Sequence, residues 1–110
     1  MANSDNYVAF VLDQLSDIEE LTSRPMFGGL GLYSDALFFG IIFSDILYFK
    51  VNEKTRGAYE REGAKPFKPY AGRPTTMHYY EVPGRVLEDG EELTKWARRA
   101  IRAARDKANP

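Results

Sequence analysis

The side chains best suited to chemistry in this sequence are cations. Lys65, Lys68 and Arg73 stand in one short segment with no acid among them, and Phe67 and Tyr70 lie between them. A basic-aromatic stretch of this kind, residues 65–74, suits single-stranded nucleic acid, a small ligand or an acidic surface, because cations follow charge while rings stack. Farther on, Arg98, Arg102 and Arg105 are spaced i, i+4 and i+7, so a helix would carry all three on one face. These two groups are the candidate binding residues.

Catalytic constellations are missing from the pattern. His78 is the sole histidine and there is no cysteine. Structural zinc takes four nitrogen or sulfur ligands, so no metal is expected. No motif places a serine or cysteine nucleophile beside a base. Glu91 and Glu92 are adjacent and would not face each other on a helix. The glycines of Gly28-Gly29-Leu30-Gly31 lack the spacing of a dinucleotide fingerprint and precede a strand pattern, so they predict close packing or a bulge. The reading is a protein without enzymatic activity and without a cofactor.

Charge narrows the function further. The formal net charge is −1, against what a general DNA-coating protein needs. Yet the ends differ. Asp5, Asp13, Asp17, Glu19 and Glu20 precede the first cation, Arg24, whereas Lys95 to Lys107 contains six basic residues and one acid, Asp106. The absence of cysteine fits a cytoplasmic protein. No apolar run is long enough to span a bilayer, and no leader pattern opens the sequence, so neither a membrane nor export is expected.

The elements that must position these groups are legible from periodicity. Residues 1–110 read as a single domain. Ser4 predicts the cap of a helix starting at Asp5, with Val8, Val11, Leu12 and Leu15 as its apolar stripe. An extended segment through Pro25 predicts an edge strand. Leu30 to Phe43 predicts two strands joined at Ser34-Asp35, and Ile46 to Val51 a further strand after the Ser44-Asp45 turn. A short helix ending at Gly63 follows, then a proline-rich loop from Ala64 to Thr75. Thr76 to Val82 predicts a strand with Tyr79 and Tyr80 on opposite faces. A last helix, from about Gly90 to Ala104, carries Leu93, Trp96, Ala97, Ala100, Ile101 and Ala104 inward. The expected fold is a two-layer α+β domain, an antiparallel meander flanked by N- and C-terminal helices. One core is expected to join Val8, Val11, Leu12, Leu15, Leu32, Phe39, Ile41, Trp96 and Ile101.

Four segments in register carry a family resemblance. Arg24-Pro25-Met26-Phe27-Gly28-Gly29-Leu30-Gly31-Leu32-Tyr33, Leu47-Tyr48-Phe49-Lys50-Val51, Thr76-Met77-His78-Tyr79-Tyr80-Glu81-Val82-Pro83 and Trp96-Ala97-Arg98-Arg99-Ala100 together resemble the N-terminal domain of the TfoX/Sxy competence-regulator family. That resemblance implies an α+β fold with an antiparallel sheet and no established enzymatic site. It also implies transcription regulation, since those proteins act as coactivators with the cyclic-AMP receptor protein at competence promoters. Larger members continue into a separate helical domain. The family's usual Asp-Gly turn is Asp35-Ala36 here, which predicts a different hairpin turn.

The combined reading is a non-enzymatic regulatory or adaptor domain that binds an acidic protein surface, within a transcription complex. The alternative is a small-molecule or nucleic-acid binding module built on residues 65–74. Homodimerisation is a further expectation, through the strand edge around Pro25.

Overall fold

A computed structural model describes residues 3–26, 28–68 and 76–108. Among the described residues four helices and six strands follow one another as α1 (Asp5–Gln14), β1 (Leu21–Met26), β2 (Gly29–Ser34), β3 (Leu37–Phe43), β4 (Ile46–Lys50), α2 (Arg56–Arg61), β5 (Pro66–Phe67), β6 (Thr76–Glu81), α3 (Gly84–Leu87) and α4 (Gly90–Ala108). The strands form one antiparallel sheet in the order β1-β2-β3-β4-β6-β5. β1 to β4 are the expected meander, and β6 returns after α2 to lie beside β4.

Local chemistry explains the element ends. Ser4 caps α1, its hydroxyl accepting from the Tyr7 amide at 3.2 Å. The Ser44-Asp45 turn has positive φ at both central residues, 50° and 58°, the sense that matches strand twist in a two-residue hairpin. Its Asp45 carboxylate accepts from the Ser4 amide at 2.7 Å, tying the start of α1 to the β3–β4 turn. At Asp35-Ala36 only Asp35 has positive φ, 57°. Alanine is thus spared the left-handed region, as the altered turn sequence predicts.

Both long helices cover one face of the sheet. Val11 of α1, Leu15 at its C-cap, and Leu93, Trp96, Ala97, Ala100 and Ile101 of α4 bury against Leu32, Phe39, Ile42, Phe49 and Tyr80. The opposite face has a smaller cluster of Ile41, Tyr48 and Phe67, with Phe38 and Tyr79 packed on it. Here the expected core needs a correction. Ile41 lies away from the helices, although Phe39 faces them. The β2–β3 register shifts between Leu32 and Tyr33, leaving Phe39 as an extra residue on β3. A bulge inverts the alternation beyond it, so Phe39 and Ile41 part company and Ile42 takes the core position.

Three further features differ from expectation. The segment beginning at Ala64 is not all loop, because Pro66 and Phe67 pair with β6. The turn after β6 contains the short α3, in which Val86 is fully buried. Four residues are too few for periodicity to reveal such a helix. α4 also runs to Ala108, one turn beyond its expected end.

Candidate functional site

The arginine face predicted from spacing is formed. Arg98, Arg102 and Arg105 line one open cleft of about 210 Å³ with Ile18, Glu19, Ser34 and Ile101. α4 sets this arrangement, since its buried stripe points at the sheet and holds the i, i+4, i+7 row at its margin. Ile18 and Ile101 supply an apolar floor, being 5% and 7% exposed. The Arg98 guanidinium donates to the Asp17 carbonyl at 3.5 Å, a long contact. Cations in the last turns of α4 also suit the negative end of the helix dipole.

The other predicted group sits elsewhere. Lys65 and Lys68 flank β5, the outermost strand at one edge of the sheet, whereas the arginine cleft opens beside Glu19 and Ser34, next to β1 and β2 at the other edge. Lys65 and Lys68 therefore do not share a surface with the arginine cleft. Phe67 is 3% exposed, and its ring lies 4.7 Å from Tyr48 and 5.6 Å from Phe43. It anchors the chain to the sheet and offers no ring to a ligand. The Lys65 carbonyl accepts from the Glu81 amide at 2.9 Å, while the Lys68 side chain is exposed. Tyr70 and Arg73 lie outside the described residues, as does Phe27.

Sequence reasoning missed a third cationic site. Lys50, the last residue of β4, is only 8% exposed. It pairs in register with Tyr79, and its ammonium lies 4.9 Å from that ring's centre. Lys50, His78 and Lys107 together line a cleft of about 420 Å³, whose walls include Leu37, Phe38 and Tyr79. Burial, then the Lys107 charge, pushes the Lys50 ammonium pKa down. Burial, followed by Lys107, Lys50 and Arg56, holds the His78 imidazole below its ordinary 6.5. Burial raises the Tyr79 phenol to about 12, with a smaller contribution from Tyr33. A sequence signal existed: a lysine inside the apolar run Ile46 to Val51, on the same strand face as Tyr48. Its meaning depended on α4 bringing Lys107 across.

Aromatic rings extend from this cleft over the helix-free face. Tyr33 and Phe38 are 5.2 Å apart and Phe38 and Tyr79 5.6 Å apart, with Arg24 placed 5.2 Å from Tyr33. Among the described residues no group of three or more His, Asp or Glu side chains could hold a metal ion. No described helix is long and apolar enough to cross a membrane.

No curated protein matches the sequence. The pattern of the TfoX N-terminal domain matches residues 13–104, a span that includes α4 up to Ala104, the lysine-bearing β4 and every other sheet strand. With that span matched and the antiparallel α+β architecture in place, the chain belongs to the TfoX N-terminal domain family.

Proposed function

We propose that this domain is a non-catalytic regulatory module that docks an acidic protein segment on the arginine face of α4. The observation that carries the reading is the cleft itself. Arg98, Arg102 and Arg105 line it together over an apolar floor of Ile18 and Ile101, with Glu19 the one acid among the described lining residues. Converging guanidiniums bind carboxylates with directional, often paired hydrogen bonds, and the floor takes an apolar residue between them. Membership in the TfoX N-terminal domain family supports the regulatory class. The same membership supports a transcription complex as the setting, because competence regulators of this kind work beside a DNA-bound activator.

A fluorescent peptide alternating glutamate with leucine is a suitable probe. It should bind the wild-type domain, weaken as salt rises, and fail to bind Arg98→Glu/Arg102→Glu. The melting temperature of that variant should stay close to wild type, since exposed charges contribute little to folding. Undiminished peptide binding by the double variant would remove the arginine face from the account. Tight binding of duplex DNA at physiological salt would instead assign a direct nucleic-acid role.

A further inference from the structure

Lys50 poses an electrostatic problem that the protein alone does not solve. A part-buried ammonium is costly unless an opposite charge or several hydrogen bonds offset it. Among the described residues no carboxylate pairs with Lys50. The Tyr79 ring offers a cation–π contact, which offsets only part of that cost. The surrounding charges worsen matters. Lys107 from α4 disfavours a proton on Lys50, and Lys107, Lys50 and Arg56 from α2 all disfavour one on His78 of β6.

Among its described lining residues the cleft of about 420 Å³ has Lys50, His78 and Lys107 but no acid, while Leu37, Phe38 and Tyr79 form an apolar wall. An adjoining cleft of about 320 Å³ shares the same three groups and adds Arg56, Glu53 and Asp106. Glu53 is already engaged by Arg56 at 2.7 Å. Two ammoniums, Lys50 and Lys107, with no acid among the described lining of this cleft and an aromatic wall beside them, form a pocket for an organic anion. Two ammoniums, with an imidazole that a bound dianion can help to protonate, suit a dianion better than a single carboxylate. The larger cleft also has room for more than an inorganic ion, and a ring could lie against Phe38 and Tyr79.

We propose that this cleft binds an organic phosphomonoester, with the phosphate among Lys50, His78 and Lys107 and the apolar body against Phe38 and Tyr79. The site is separate from the arginine face and does not depend on it.

His78 is the only histidine, so its imidazole protons report on the cleft without ambiguity. Phenyl phosphate should shift those resonances saturably and raise the imidazole pKa, because a bound dianion favours the protonated ring over the opposition of Lys50, Lys107 and Arg56. Asp106 and Glu53, the acids of the adjoining cleft, are present in free and bound forms alike. Inorganic phosphate should bind about tenfold more weakly, lacking the ring. Benzoate, with one charge, should also be weaker. Lys50→Met should weaken phenyl phosphate binding about tenfold or more. Its melting temperature should hold or rise, since a buried unpaired charge has gone. Lys107→Met, altered on an exposed turn, keeps the reporter and should weaken binding in the same direction even if Lys50→Met does not fold. No saturable shift with phenyl phosphate overturns the proposal, as does wild-type affinity in Lys107→Met.

Discussion

Single side chains decide both the core and the charge behaviour of this domain. Trp96 is 4% exposed, meets Tyr59 edge-on at 4.8 Å between ring centres, and donates its indole N–H to Glu92 at 3.3 Å. Trp96→Ala should therefore cost about 3–5 kcal/mol, read from chemical denaturation. A variant as stable as wild type would mean that the α2–α4 contact carries little of the fold. His78 gives a second expectation, with its sign fixed by linkage. Its folded-state pKa is held below 6.5, chiefly by burial and then by Lys107, Lys50 and Arg56. The unfolded chain consequently binds the proton more readily than the folded one. The His78 contribution to stability is full above pH 6.5, declines as pH falls through that value, and is constant again below the folded pKa. Melting temperatures from pH 7.5 to 5.5 should fall less in Lys107→Met and least in His78→Gln. Identical slopes in all three proteins would show that the cations do not act on the imidazole.

At the level of elements, spacing predicted what is periodic and missed what depends on pairing. The α1 cap, the edge strand at Pro25 and the apolar stripe of α4 all follow from residue order alone. Ile41 did not, because its face is set by a one-residue shift against β2 that leaves no mark in the hydrophobic pattern of β3. β5 was hidden because prolines ordinarily signal loop, yet an outermost strand tolerates a missing N–H on its solvent side. Likewise the arginine face was legible as a helical row, whereas the Lys50 cleft needs β4, β6 and the end of α4 brought together. The glycine segment shows how a sequence hint becomes a measurable cost. A Cβ on Gly29 would stand 2.7 Å from the Ile42 carbonyl oxygen, a backbone atom on the neighbouring strand. On Gly31 the nearest atom, at 2.6 Å, is the terminal methyl of Met26, which can swing away. Gly29→Ala should thus destabilise by about 1–3 kcal/mol. Gly31→Ala should cost clearly less, and equal losses in thermal denaturation would contradict this reading of the β2–β3 approach.

On the scale of the whole molecule, the sheet has two edges, and its β1 edge is the longer. Thr22, Ser23, Arg24 and Pro25 are all exposed there, so backbone groups stand ready for another strand. Pro25 is opposite Leu30 in the β1–β2 register. A proline has no N–H to give, so its nitrogen belongs on the side away from β2, facing outward. That placement removes one outward donor from the edge and puts a rigid ring where a partner strand would approach. Arg24 adds charge at the same point, which opposes its own copy across a two-fold axis. These two residues act as guards on the edge, and any pairing of copies through β1 has to work around them. Pro25→Val restores the outward N–H and a residue type that favours strands. The variant should associate more strongly than wild type in sedimentation at matched concentration, and Pro25→Val/Arg24→Thr more strongly again. Such a series would locate self-association at β1. Sedimentation unchanged across all three proteins would show that this edge takes no part in assembly, whatever state the domain adopts.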